Sequence, residues 1–405
     1  MTARRGAWVA GAALVLAACG GDAQQTASGM VVSSDPELRA MAEALLPDLA
    51  RRSGLELKAP VRLEMRSRDE LVRYLRFKLS EELPEAEAQV TVASYAMLGL
   101  VPESLDLRGV LLALYTEQVA GFYEPDSTAL FVLDDQPEQA LQGLLVHELV
   151  HAVQDQSADL DALTDPELGN DRATAAQAAI EGHATLVMLE YLTEQMQGAP
   201  VDLGDIPDFA STLRPALEGM RAQFPALADA PPVIQESLLF PYLEGAGYVQ
   251  RLWTEGERVA PFGPFLPQST EQILSGDRAD VPAAFVLDVE GVDVVHVDDL
   301  GRLELGVLLE HHAGTQAGSA ARGWGGDRYA LVEAPDGTRG LVLATVWDTA
   351  AERDAFVRSL GSDLSKFPAP ATLVAVESEV GPAALLSVGA GQDAIVRFRA
   401  APAGP

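Results

Sequence analysis

The chain has 405 residues, of which 48% are hydrophobic, so it is long enough and apolar enough to form two or three domains with real cores. Its 60 Asp and Glu residues outnumber its 28 Lys and Arg residues, and the formal net charge is −32. A chain this acidic has no basic surface that could neutralise phosphates, so we exclude nucleic acid as a partner.

The N-terminus has the pattern of an export signal. An apolar run over residues 7–18 follows two arginines and is too short to span a bilayer. The run ends in LAAC, residues 16–19, which resembles the lipobox at which bacterial lipoproteins are cleaved and lipidated. We therefore predict a lipoprotein signal peptide over 1–18 and a lipid anchor on Cys19, with an ordinary signal peptide as the alternative. The protein would then be exported and attached to a bacterial membrane, facing the periplasm or the cell exterior.

Cys19 is also the only cysteine in the chain, which excludes disulfides and thiolate metal sites. The residues after it, rich in Gly, Ser, Gln and Ala, predict a flexible tether over 19–35. The chain would be anchored through its lipid and would not span the membrane.

The first elements after the tether are helices, and a hairpin follows them. Apolar periodicity predicts a helix over 36–54, and Ser67 with Glu70 forms a capping box for a second helix. Two strand-like runs, GFY at 121–123 and TALFVLD at 128–134, flank the turn residues Glu-Pro-Asp-Ser and predict a β-hairpin.

The second half of the chain changes from helices to strands. Asp171 is predicted to cap a long Ala-rich helix, and helices and Pro-rich loops continue to about residue 280. Strand-like runs dominate beyond that point, with a hairpin predicted over 328–347. We predict an α+β fold with a mainly helical domain over 36–279 and a smaller C-terminal α+β domain over 280–405.

A short motif, VHELVHAVQDQ at 146–156, lies on the helix that follows the first hairpin. His147 and His151 are four residues apart, so they project from one helical face and can present two neutral imidazoles to one zinc ion. Glu148 lies beside them and can reach a metal-bound water without ligating the metal. The apolar residues around the pair are Leu144, Leu145, Leu149, Ala152 and Val153, and two surface histidines are the alternative interpretation.

A catalytic zinc needs a third protein ligand and one open coordination position. The next helix, AAIEGHATLVMLEY, offers Glu181 on an otherwise apolar face and His183 two residues further on. The two side chains point about 200° apart on a helix, so both cannot face one metal. A solvated glutamate and a packed histidine are the corresponding structural interpretations.

Five segments together resemble a family of mostly uncharacterised bacterial proteins described as metallopeptidases. They are EQVAGFYEPDSTALFVL, HELVHAVQDQ, EGHATLVMLEY, FPYLEGAGYV and STEQIL, between about residues 110 and 275. More broadly, the chain resembles the gluzincin group of zinc metallopeptidases, in which H-E-x-x-H on one helix is joined by a glutamate on the next. The resemblance implies a zincin-like metallopeptidase domain over 36–279 and favours Glu181 over His183 as the third zinc ligand.

The resemblance also implies roles for neighbouring residues. GFY or TALFVLD would border the cleft and pair with an extended substrate, unless both belong to a core hairpin. Asp155, one turn beyond His151, is a candidate acceptor for the far ring nitrogen of a zinc ligand, or a plain surface aspartate. Tyr242 is a candidate donor to the oxyanion, with a buried structural tyrosine as the alternative.

These observations predict a membrane-anchored zinc metallohydrolase that acts on peptide or protein substrates. Zinc held by His147, His151 and Glu181 would activate a water, and Glu148 would act as the general base. Amidase action on cell-wall peptides is an open variant of this reaction. The alternative from another class is a non-catalytic surface lipoprotein that uses a zincin-like fold as a binding or assembly module.

Overall fold

The computed structural model describes residues 10–12, 29–206, 209–221, 224–255 and 258–401. The predicted lipidation site, Cys19, and most of the predicted signal peptide lie outside these ranges. The described chain is an α+β protein, as predicted. Within the described ranges, no helix combines the length and the apolar character that crossing a bilayer requires.

The elements follow one another in this order. The helices are α1 (Pro36–Ser53), α2 (Arg68–Glu82), α3 (Glu85–Met97), α4 (Leu107–Gln118), α5 (Glu138–Asp155), α6 (Leu160–Leu163), α7 (Asn170–Gln197), α8 (Phe209–Arg221), α9 (Pro225–Asp229), α10 (Pro232–Glu255), α11 (Thr270–Ser275), α12 (Gly301–Ala313) and α13 (Ala350–Leu360). The strands are β1 (Ala10–Ala12), β2 (Val31–Val32), β3 (Val61–Arg66), β4 (Val119–Glu124), β5 (Ala129–Leu133), β6 (Phe285–Glu290), β7 (Asp293–Asp298), β8 (Trp324–Glu333), β9 (Arg339–Trp347), β10 (Ala371–Ser378), β11 (Gly381–Gly389) and β12 (Ile395–Ala400).

Strands β1 to β5 form one mixed sheet in the order β1-β4-β5-β3-β2. The predicted hairpin is confirmed, because β4 and β5 pair in antiparallel register from Gly121 opposite Val132 to Glu124 opposite Ala129. Strand β3 pairs parallel with β5 on one side and with β2 on the other. Strand β2, Val31–Val32, lies within the range predicted as tether, so the paired part of the chain begins before residue 36.

The first sheet is covered on both faces. Leu130 and Val132 of β5 pack into a core with α1, α5 and α7, whereas Phe131 packs on the other face with Leu71 and Leu75 of α2. Burial on both faces explains why β5 is a continuous apolar run without alternation. The helix that carries the histidine motif, α5, is therefore held between the sheet and α7.

Helices α7 and α10 cross at two glycines. A Cβ atom on Gly182 would lie 2.0 Å from the backbone carbon of Gly245, and one on Gly245 would lie 2.0 Å from the carbonyl oxygen of Ala178. Any larger residue at either position would overlap with backbone atoms. This contact fixes α10, and with it Tyr242, against the helix that carries Glu181.

The C-terminal strands form an antiparallel sheet, β10-β11-β9-β8-β7, beside the pair β12-β6. The hairpin predicted over 328–347 is confirmed by β8 and β9. The core of this sheet crosses the predicted boundary at 279/280, because Leu98, Leu114 and Ile234 pack in one cluster with Leu341 and Trp347. Helices from the first part of the chain thus cover the second sheet.

The predicted cap of α7 is wrong. The residue at the N-cap is Gly169, and Asp171 lies within the first turn. The Asp171 carboxylate instead accepts hydrogen bonds from the backbone N–H and the hydroxyl of Thr270, at 3.0 Å for the N–H. A tertiary partner about a hundred residues away in the chain has replaced the local capping role.

Candidate metal centre

The histidine motif lies on a buried part of α5. Seven apolar residues of α5 between Leu144 and Val153 are at most 1% exposed, and His147, Glu148 and His151 are at most 2% exposed. Polar side chains at such positions need partners, because burial without hydrogen bonds costs free energy. The partners of these three residues therefore define the site.

Three potential ligand atoms converge between α5 and α7. Nε2 of His147 lies 3.1 Å from Nε2 of His151 and 3.1 Å from Oε2 of Glu181. The distance from His151 Nε2 to Glu181 Oε2 is 3.4 Å. Within the described ranges, these three residues are the one group of His, Cys, Asp and Glu side chains whose ligand atoms approach closely enough to hold a metal ion.

The separations of these atoms fit zinc. Zinc bonds of about 2.0–2.1 Å in a tetrahedral arrangement place neighbouring ligand atoms about 3.3–3.4 Å apart. The three separations here, 3.1 to 3.4 Å, are close to that spacing. Two imidazoles and one carboxylate also form a ligand set that leaves a fourth position open, as catalytic zinc sites do.

The tautomer of His151 follows from a chain of hydrogen bonds behind it. Nε2 of His183 lies 3.1 Å from the carbonyl oxygen of Ser53, so it must carry the proton, and Nδ1 of the same ring accepts from the Gln154 amide at 3.0 Å. The Gln154 oxygen then accepts from Nδ1 of His151 at 2.8 Å. Nδ1 of His151 therefore carries a proton, so loss of a proton from the charged ring leaves the lone pair on Nε2, which faces His147 and Glu181.

Asp155 does not contact the ring of a candidate zinc ligand, although the sequence predicted such a contact. Nδ1 of His151 is bound instead by Gln154, one residue earlier. The Asp155 carboxylate accepts instead from the Tyr123 hydroxyl at 2.8 Å and from the N–H of Leu160. Because an α-helix turns about 100° per residue, Gln154 faces α7 and Asp155 faces the sheet.

His183, the other candidate for the third ligand, lies outside the cluster. Its ring is fully buried beside Trp253 and Phe262, at centroid distances of 6.1 and 6.4 Å. Both of its nitrogens are engaged by Ser53 and Gln154. Burial lowers the pKa of His183 to about 3, so this ring is neutral.

Glu148 is held by the neighbouring strand. The backbone N–H of Tyr123 in β4 donates to Oε2 of Glu148 at 2.9 Å, whereas Oε1 has no hydrogen-bond partner among the described residues. Oε1 of Glu181 is likewise buried without a partner in the described chain. Unsatisfied oxygens this deep in a protein call for a ligand, an ion or a water.

The two buried carboxyl groups have opposite pKa shifts. Burial alone would raise the pKa of Glu181, but the positive charge of His151 in its doubly protonated form and hydrogen bonds from His147 and His151 outweigh it and lower the pKa to about 2. Burial raises the pKa of Glu148 to about 8, although the charge of His151 opposes this shift. Glu181 thus has the ionised form that a metal ligand needs, and Glu148 exchanges its proton near neutral pH.

Tyr242 lies at the edge of the site on α10. Its ring centroid is 6.2 Å from that of His147, and the side chain is half-buried. It also lines a cavity between α7 and α10. The structure therefore brings Tyr242 next to one ligand histidine.

The order of the first sheet excludes one of the two candidate edge strands. TALFVLD corresponds to β5, which has β4 on one side and β3 on the other and so cannot accept a peptide. GFY lies in β4, whose other neighbour is β1, residues Ala10–Ala12 within the predicted signal peptide.

Two residues of the site, Gln154 and Tyr123, were not predicted from the sequence. Gln154 belongs to the HELVHAVQDQ segment, and its position three residues after His151 could have indicated contact with that ring. The backbone N–H of Tyr123, which donates to Glu148, is present in any residue except proline, so the sequence does not indicate this contact. Which strand packs against which helix cannot be predicted before the fold is known.

Comparison with known proteins adds one match. A family model described as a domain of unknown function (DUF8575) matches residues 276–398. This range begins after α11 and ends within β12, so it contains none of the residues of the candidate metal centre. No curated protein and no solved structure matches the chain.

Proposed function

We propose that the protein is a zinc-dependent metallohydrolase, most simply a peptidase, built on a zincin-like fold. The observation that carries the proposal is the convergence of His147, His151 and Glu181 within 3.1 to 3.4 Å beside the buried carboxyl group of Glu148. A purely structural zinc usually has a fourth protein ligand and has no use for a neighbouring base. The arrangement therefore favours catalysis over a binding or assembly module.

The residues around the site have separate roles in this proposal. His147, His151 and Glu181 would hold the zinc, which would supply a Lewis acid to polarise the scissile carbonyl and activate a water. Glu148 takes the proton from the attacking water and later passes it to the leaving amine. Tyr242, whose ring centroid lies 6.2 Å from that of His147, would donate a hydrogen bond to the oxygen of the scissile carbonyl as it gains negative charge.

The edge of β4 is the proposed place for the substrate backbone. Residues Ala10–Ala12 already pair with β4 in antiparallel register, with Ala10 opposite Phe122. Cleavage of the predicted signal peptide would remove this strand and leave the β4 edge open to an extended peptide. The peptide would lie beside Tyr123, whose N–H holds Glu148.

The decisive experiment replaces the proposed base. Glu148→Gln should leave zinc content and melting temperature nearly unchanged, because Glu148 is not a ligand. Hydrolysis of a peptide library should fall about 10²–10⁴-fold, in rate more than in substrate affinity. Glu167→Gln, the same change at an exposed position, is the control and should retain full activity.

Two outcomes would contradict the proposal in different ways. Hydrolysis that survives in Glu148→Gln would show that another residue removes the proton. Wild-type protein that carries one zinc per chain and cleaves no peptide in a diverse library would favour the binding or assembly module.

We also propose that the mature protein is attached to a membrane through a lipid on Cys19. The support is the LAAC segment and the Gly-, Ser- and Gln-rich residues behind it. Cys19→Ala should release the protein from membranes or leave it unprocessed. A variant that is cleaved normally and still fractionates with membranes would exclude this anchor.

A further inference from the structure

A cavity of about 300 Å³ opens beside the candidate metal centre, at the lower end of the range for ligand pockets. It lies between helices from both halves of the chain. Thirteen residues of α3, α4, α7, α10 and α12 line it, among them Tyr95, Asn170, Gln177, Ser237, Tyr242 and Glu304.

The cavity and the metal centre lie along the same face of α7. Asn170, Thr174 and Gln177 line it and lie at the spacing i, i+4 and i+7, and Glu181 follows at i+11 on the same helical face. With a rise of 1.5 Å per residue, Gln177 is about 6 Å and Asn170 about 16 Å from Glu181 along the helix. Tyr242 lines the cavity and also lies next to His147.

The walls of the cavity are mainly apolar, but its far end is acidic. Leu111, Val233, Ile234, Leu238 and Pro241 contribute apolar surface. Glu304 of α12 lines the far end; it is only 6% exposed and accepts a hydrogen bond from the Tyr95 hydroxyl at 2.7 Å.

The other polar groups of the cavity add no positive charge. Asn170 and Gln177 are uncharged, and Pro241 has no N–H to donate to the carbonyl of Ser237, which lies four residues earlier on the same wall. None of the described residues that line the cavity is Lys, Arg or His. A bound cation would therefore meet no competing charge from the protein.

We propose that this cavity binds a lysine or arginine side chain of the substrate, one or two residues from the scissile bond. The aliphatic stem would pack against the apolar walls, and the cationic head would pair with Glu304. The inference rests on the proposed hydrolase function for its connection to the scissile bond. It adds a substrate class, peptides with basic residues, which also suits a chain with a net charge of −32.

The protonation state of Glu304 decides between a cationic side chain and an uncharged one as the group that the cavity binds. Burial raises the pKa of Glu304 to about 8, although the hydrogen bond from Tyr95 opposes this shift, so the empty cavity holds a neutral carboxyl group at pH 7. A cation would restore the ionised form on binding. A cavity that stayed neutral would prefer an uncharged side chain such as glutamine or norleucine.

The first test uses binding and needs no catalysis. n-Butylguanidinium is titrated calorimetrically into the full protein, into Glu304→Gln and into Glu310→Gln. The glutamine at 304 can still accept from Tyr95, and Glu310 is an exposed residue of the same helix that does not line the cavity. Binding should weaken at least about tenfold in Glu304→Gln and remain unchanged in Glu310→Gln.

A second variant covers the case in which Glu304→Gln does not fold. Ser237→Phe fills the cavity from α10 and should also reduce binding of n-butylguanidinium, without changing any charge. Absence of binding to the wild type, or equal binding to the wild type and the variants, overturns the inference.

The second test uses cleavage of a peptide library that differs in lysine, arginine, norleucine and glutamine around the scissile bond. The wild type should prefer a basic residue at one fixed position, and Glu304→Gln should lose at least about tenfold in kcat/KM for that residue while keeping its rate on norleucine. Cleavage without a basic preference overturns the cavity proposal and leaves the hydrolase intact. Glu304-dependent binding of n-butylguanidinium without any cleavage supports the cationic cavity and counts against the hydrolase.

Discussion

Nε2 of Gln154 lies 3.0 Å from Nδ1 of His183, and this contact turns the oxygen of the Gln154 amide toward His151. His183, the other candidate for the third ligand, thus acts on the ligand cluster only through Gln154. Its ring fixes the amide, and the amide fixes the tautomer of a ligand histidine. Hydrogen bonds of this kind behind a ligand orient it and increase its basicity.

Gln154→Leu should weaken zinc binding about 10–100-fold, because leucine fills similar space and cannot accept the His151 Nδ1 proton. The measurement is zinc affinity by competition with a chelator. Gln154→Glu keeps an acceptor for that proton and should bind zinc more tightly than Gln154→Leu. Wild-type affinity in Gln154→Leu would show that the tautomer of His151 does not depend on this contact.

Alanine variants at the three proposed ligand positions should lose zinc, whereas an alanine variant at His183 should keep most of it. Purified protein is expected to carry about one zinc per chain, which His147→Ala and His151→Ala should abolish and Glu181→Ala should weaken strongly. His183→Ala removes one partner of Gln154, whose amide still donates to the carbonyl of Ile180, so most zinc should remain. Metal analysis by mass spectrometry checks this order, and zinc retained in Glu181→Ala but lost in His183→Ala would reverse the assignment of the third ligand.

Gly182→Ala should destabilise the protein by about 3 kcal/mol or more and reduce zinc binding. The added Cβ would lie 2.0 Å from the backbone of Gly245, so α7 and α10 would have to separate next to Glu181. Gly306→Ala is the matched control, since this helical glycine has nothing within 4 Å of the added Cβ and should be neutral or slightly stabilised. Urea unfolding measures both changes, and equal stability of the two variants would rule out a tight helix crossing.

Asp171 should make the protein less stable as the pH rises from about 4 to about 7. Burial raises the pKa of Asp171 to about 7, although hydrogen bonds from Thr270 oppose the shift. In this window the unfolded chain has released the proton and the folded chain still holds it, so the free energy of unfolding decreases by at most about 1.4 kcal/mol per pH unit for this group. Buried Asp299 and Glu304 have pKa values raised to about 6 and about 8 and add to the same trend.

Asp171→Asn tests this dependence. The asparagine can still accept from Thr270 but has no proton to release, so the slope of stability against pH should be shallower than in the wild type between pH 4.5 and 7. Asp229→Asn, at an exposed position, should keep the wild-type slope. Urea unfolding at several pH values measures the slopes, and identical slopes in Asp171→Asn and the wild type would contradict the prediction.

Short patterns in the sequence were enough to predict several local elements correctly. The capping box at Ser67 and the hairpin of β4 and β5 depend on contacts between residues close in the chain, so short patterns predict them. The i, i+4 spacing of His147 and His151 likewise places both rings on one face of a single helix. These features needed no knowledge of how the helices and strands pack.

The contacts between residues far apart in sequence became known only from the tertiary structure. Gln154 holds His151 where Asp155 was expected, and Asp171 binds Thr270 where a helix cap was predicted. The neighbour that holds Glu148 is a backbone N–H of β4, and the cavity places Glu304 of α12 on the same wall as Asn170 and Gln177 of α7, which are far from it in the chain. Such contacts depend on the angle at which α7 crosses α10 and on the order of strands in the sheet. Both are set by packing between elements that are far apart in sequence, and no local pattern encodes them.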